Sequence, residues 1–184
     1  MCDLKNLTKK CGTPNPPGNK AILYAIPAEE VLATPAVGDG SVAGNTKIYA
    51  EAWSLSAVVA KGYWRTIPII ANSGQETFAM VGERGGRSFE NGQAFMLAGL
   101  DAENREFAEC LASGCWMFMI KDRTDDHPVV YGTYEDPAYA KEISGDGGKG
   151  PGDTKAISFV IGDDTGKIPF KYDSALAINQ TPNA

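Results

Sequence analysis

Residues 93–172 contain one helix-forming stretch among segments that otherwise read as strands and turns, and this imbalance limits the chain to a β-rich fold. The helix falls at residues 101–111. Asp101 is a good N-cap, and Glu103 and Glu106 lie early, where the helix dipole favours carboxylates. Gly114 suits the stop. Phe107, Cys110 and Leu111, spaced i, i+3, i+4, make a single narrow apolar stripe. Such a stripe packs on a sheet and does not line a site.

The remaining apolar segments are strand-like. Residues 20–26 alternate with Ile22, Tyr24 and Ile26 on one face, and Pro27 ends them. Residues 46–59 predict a long strand, and 63–70 an edge or bulged one because Pro68 cannot donate to a ladder. Residues 76–81 predict another strand. Arg84, Gly85 and Gly86 mark a tight turn, and Asn91-Gly92 predicts a second turn ahead of a strand at 94–97. Strands are expected again at 115–122, 129–133, 155–161 and 167–172. Residues 27–45 read as a loop of unusual length. Residues 141–154, with five glycines and a proline, predict a polar loop without regular structure. The organisation expected is an extended arm at 1–19, one domain at 20–172 and a tail at 173–184.

Bulk composition narrows the function classes. In 184 residues, 43% are apolar and 22% charged, which is ordinary for a globular domain with a real core. The net charge of −6 disfavours a general nucleic-acid binder, since phosphates call for clustered Lys and Arg. An acidic surface still suits a protein that DNA must slide past without sticking. No apolar run is long enough to span a bilayer, and residues 1–10 lack the apolar core of a secretory signal. The expectation is therefore synthesis and folding in a cytoplasm, no membrane partner, and reduced cysteines at Cys2, Cys11, Cys110 and Cys115, whose spacings fit no common zinc pattern.

No candidate site assembles from the polar residues of this sequence. His127 is the single histidine, sits before Pro128 in a polar turn, and has no nucleophile motif around it. Asp122, Asp125 and Asp126 resemble part of a calcium loop but lack its glycine, and Thr133 stands where the closing glutamate belongs. They read as a solvated turn, as do Asp163 and Asp164. Residues 145–153 invite a phosphate-loop reading. Ile143 occupies the first glycine position, however, Gly150 replaces the hydroxyl residue, and a strand follows instead of a helix. Trp53, Trp64 and Trp116 could stack sugars or bases, but each lies in a strand pattern, which favours packing in the core or at a subunit interface. No catalytic residue, cofactor or metal is expected, and an enzyme is the least favoured class.

The order of segments in this block does resemble a known family. Residues 94–101, the helix, 116–123, then Val130-Tyr-Gly-Thr133, Pro137-Ala138, Gly148-Lys-Gly-Pro-Gly-Asp153, Ile157-Ser-Phe-Val160 and Pro169-Phe-Lys-Tyr172 are similar in spacing and residue type to the tail tube proteins of tailed bacteriophages. The likeness covers about residues 90–172. It implies a mainly β (α+β) fold, with two packed antiparallel sheets forming a sandwich or half-open barrel, one flanking helix and long loops. It further implies a virion structural subunit whose copies self-associate into hexameric rings that stack into a tube. Other tail proteins (tape measure, terminator, possibly sheath) would be partners, and DNA would pass through the lumen without specific binding. The loop at 141–154 would be mobile in the lone subunit and ordered in the tube. Two alternatives stand beside this one, a head–tail connector or capsid decoration protein, and a β-sandwich carbohydrate-binding module using the tryptophans.

Overall fold

The structure is a computed structural model that describes residues 22–39, 41, 45–121, 127–150 and 153–183. In chain order the elements are β1 (Ile22–Pro27), β2 (Val31–Ala33), β3 (Ile48–Tyr49), β4 (Ser54–Leu55), β5 (Arg65–Pro68), β6 (Gln75–Val81), β7 (Ser88–Ala98), α1 (Ala102–Ser113), β8 (Trp116–Lys121), β9 (Val129–Tyr131), β10 (Tyr139–Asp146), β11 (Ala156–Asp163) and β12 (Phe170–Tyr172). A six-stranded sheet in the order β3-β12-β9-β8-β1-β5 packs on a four-stranded sheet in the order β10-β11-β7-β6, and β2 and β4 form a small third sheet. The result is an α+β, sandwich-like fold with one α-helix and long loops. All pairings are antiparallel except β12 with β3.

The six-stranded sheet is buried on both faces, which explains why β8 reads as an unbroken apolar run rather than an alternation. Phe118 and Ile120 point into the core between the two large sheets, with Leu23, Phe95, Leu97 and Phe159. Met117 and Met119 point the other way, into a second core with Tyr24, Ile26, Tyr49, Trp53, Trp64 and Tyr172. Helix α1 closes one flank of the first core through Phe107, Cys110 and Leu111, the stripe read from its sequence. Asp101 caps it by accepting the Asn104 amide at 3.0 Å. Gly114 ends it at φ −117°, an ordinary extended value. What glycine supplies there is room, because a Cβ would lie 2.6 Å from Trp116 Nε1.

Four local expectations change. The long strand at 46–59 is two short pieces, β3 and β4, because its halves serve different sheets: Tyr49 pairs with Tyr172, while Ser54 and Leu55 pair with β2. Asn91-Gly92 is not a turn but lies inside the eleven-residue β7. There Gly92 passes under Thr77, whose Oγ1 would stand 2.8 Å from an added Cβ, and the Asn91 side chain is fully buried. Residues 141–146 are not loop but the body of β10, since β11 offers them a ladder from Ala156 to Gly162, broken by one bulge at Lys141. Residues 27–45 include a 3-10 turn at Ala28–Glu30 and β2, and Val37 bridges to Tyr49.

The segment after β12 docks on the molecule. Leu176 and Ile178 pack against the second core. Asn179 O accepts the Trp64 amide at 2.7 Å, and Asn183 reaches Lys61 O at 2.8 Å. Residues 1–19, read as an arm, lie outside the described residues.

Candidate functional site

Among the described residues the four-stranded sheet ends in two long open edges, whereas the open edge of the six-stranded sheet at β5 is four residues long and carries Pro68. β6 pairs only with β7, and β10 only with β11, so each presents an open row of backbone donors and acceptors. Every residue of β6 is exposed. Because β7 places Phe95 and Leu97 in the core, its odd-numbered residues face inward. The register sets Phe78 opposite Asn91 and Met80 opposite Phe89, so both belong to that same inward face. They nevertheless remain 53% and 55% exposed, since the sandwich ends before reaching them. The Phe78 ring lies against that of Phe89, at a centroid distance of 6.5 Å.

The outward face of the same sheet mixes small, polar and acidic residues with the larger apolar Val81, Met96, Tyr139 and Val160. It carries Thr77, Ala79, Ala94, Ser144 and Ser158, with Glu90, Glu142 and Asp146 as its carboxylates. Its lysine, Lys141, crosses over Gly162 and is held by Glu90 Oε1 at 2.8 Å and Asn91 O at 3.0 Å. That contact holds the Glu90 carboxyl below its usual range. Acid therefore outweighs base on this face.

Between the sheets lies a buried polar network that stiffens one end of the sandwich. Asp163 accepts from Asn91 Nδ2 at 2.7 Å, Thr165 Oγ1 at 3.0 Å and the Gly132 amide at 3.1 Å. It is thus a buried anchor and not the solvated turn residue its sequence suggests. Tyr131 donates to Gln93 Oε1 at 3.0 Å. Burial, helped by Glu76 and Asp163, raises the Tyr131 hydroxyl above its ordinary range. Burial, with Asp163, pushes Tyr49 up to about 12.

These tyrosines set an alkaline limit. The native state keeps both hydroxyls protonated where the unfolded chain, near 10, has already released its protons. Stability is whole below pH 10 and falls as pH rises towards 12, with Tyr49 alone accounting for about 2–3 kcal/mol. Tyrosinate absorbance should therefore appear together with loss of the near-ultraviolet circular dichroism signal. Titration of all seven tyrosines near pH 10 in a still-folded protein would contradict this.

Among the described residues, the others singled out do not form a pair of nucleophile and base. His127 lies in a bend before Pro128. Asp122, Asp125 and Asp126 fall outside the described residues, as do Cys2 and Cys11, while Cys110 is buried and Cys115 exposed, both as free thiols. Among the described residues no three His, Cys, Asp or Glu side chains gather as a metal set. In the glycine loop, the Lys149 and Gly150 amides that a phosphate would need are taken by Asp153 Oδ2, at 2.6 and 2.8 Å. Those bonds hold the Asp153 carboxyl low. The three indoles are 9%, 1% and 2% exposed, so all are core residues, and Trp53 and Trp64 also line a cleft of about 290 Å³. A cleft of about 830 Å³ opens at the Asp163 end, between Leu32 and Val37 on one side and Tyr134, Glu135 and Phe170 on the other.

Comparison of the chain with models of protein families, with curated proteins and with solved structures finds no match.

Proposed function

We propose that this chain is a structural subunit that works by assembling with copies of itself, as the tail tube protein of a tailed bacteriophage. Its six-copy rings would stack around a channel for DNA. The observation that carries the reading is the four-stranded sheet with two free edges. Its strands alternate in direction, so β6 of one copy and β10 of an equally oriented neighbour run antiparallel. They can extend one ladder from copy to copy without inverting either subunit. Such a contact is heterologous, and rotation closes it into a ring.

Two further features support it. Phe78 and Met80, exposed on the edge strand itself, would be covered where the next copy joins. The outward face, on which carboxylates outnumber cations, would become the lining of the ring. Carboxylates there repel DNA phosphates and leave a passing strand unbound. The number six and the tape-measure, terminator and sheath partners come from the family resemblance.

Sedimentation of purified protein across a concentration series tests the reading. The expected result is one discrete species at six times the 19.6 kDa chain mass, followed by longer stacks. A monomer at every concentration would overturn it.

A further inference from the structure

Beyond the backbone edges, the two sides of the seam carry opposite charge at the same end of the molecule. The β6–β7 turn projects past the sandwich. Beyond the level at which Gly92 and Gly162 align with Tyr139, β7 still continues through Asn91 and Glu90 to Ser88, opposite Val81. Its tip carries Arg84 and Arg87, both exposed. The chain enters β10 from the same end through the turn of Tyr134, Glu135 and Asp136, where Thr133 N donates to Asp136 O at 2.9 Å. Glu135 and Asp136 are exposed as well. Neither arginine and neither of these carboxylates has an ionic partner in its own chain among the described residues.

Equal orientation of neighbours brings these groups together. When β6 lies beside the next copy's β10, the upper end of one strand meets the upper end of the other. The arginine tip then stands at the side of the next copy that carries Glu135 and Asp136. We infer that Arg84 and Arg87 of one copy pair with Glu135 and Asp136 of the next, and that this contact fixes the register of the seam. The inference rests on the ring reading above and assigns its specificity. Backbone pairing alone leaves an edge free to slip by two residues, which keeps every side chain on its own face. A charge cluster beyond one end of the ladder penalises every slipped alignment and favours neighbours of one orientation.

A complementary pair of variants tests it. Arg84→Glu with Arg87→Glu makes the tip acidic, and Glu135→Lys with Asp136→Lys makes the turn basic. All four side chains are exposed, so both proteins should melt like the parent. Alone, each variant sets like charges against like across every seam, and its critical concentration for assembly should rise at least about tenfold. Mixed in equal amounts, the two should co-assemble near the parental concentration, because acidic tip meets basic turn and basic tip meets acidic turn in strict alternation. The chain carrying all four substitutions should assemble by itself.

Parental assembly by both single-side variants would overturn the inference and leave the ring reading intact. So would loss of assembly that neither the mixture nor the fourfold variant restores. A parent chain that never assembles would remove both.

Discussion

Arg65→Leu should destabilise the fold by about 3–5 kcal/mol, far more than any substitution on the exposed edge strands. Arg65 and Glu30 form a two-pronged ion pair, with both nitrogen–oxygen distances at 2.7 Å and side chains 2% and 4% exposed. The same carboxylate accepts the Gly62 amide at 2.8 Å, and Arg65 also donates to Tyr63 O and stacks over the Tyr63 ring at 4.2 Å. Removing the guanidinium leaves the buried carboxylate with the Gly62 amide but without its cation. Urea unfolding monitored by tryptophan fluorescence measures the loss. Replacing Glu30 and Arg65 together by leucine should cost less, since no charge is stranded, although the Gly62 amide then loses its acceptor. Equal losses in the single and double variants would contradict this account of the pair.

Phe78→Lys combined with Met80→Lys should produce the opposite signature. Both side chains are more than half exposed and make few contacts in the subunit, so the unfolding midpoint should move little. On the edge strand, charges on the face that must be covered block strand addition, a device natural sheets use against unwanted pairing. Assembly should weaken by about a hundredfold or more, corresponding to about 3 kcal/mol per seam. Sedimentation of the variant beside the parent reads the effect. An unfolded variant, or one that assembles like the parent, would count against the role given to β6.

How much of the fold is legible in the sequence depends on whether local pattern or distant pairing decides the outcome. The helix is fully legible, because its cap, charges and apolar stripe are local and agree with one another. Pro68 at the sheet edge is legible for a similar reason, since the missing donor excludes a central position. Asn91-Gly92 misleads because its turn preference gives way to a partner 72 residues away, Asp163, which the Asn91 amide holds at 2.7 Å. Residues 141–146 mislead for the same kind of reason. Glycine lowers strand preference, yet β11 supplies the ladder, and Gly145 fits against Leu100. The ion pair of Glu30 with Arg65 spans 35 residues and has no local signal. The edges are visible only in part. Sequence can mark strands, but only the sheet order identifies β6 and β10 as the edges of the four-stranded sheet.

Hydrogen–deuterium exchange on the free and the assembled protein bears most directly on edge-to-edge pairing. In the free subunit, the outward amides of β6 and β10 face solvent and should exchange quickly, while β7 and β11, paired on both sides, should exchange slowly. On assembly, peptides covering residues 75–81 and 139–146 should become protected together, and those from β7 and β11 should change little. Assemblies in which β6 and β10 exchange as fast as in the free subunit would contradict the account.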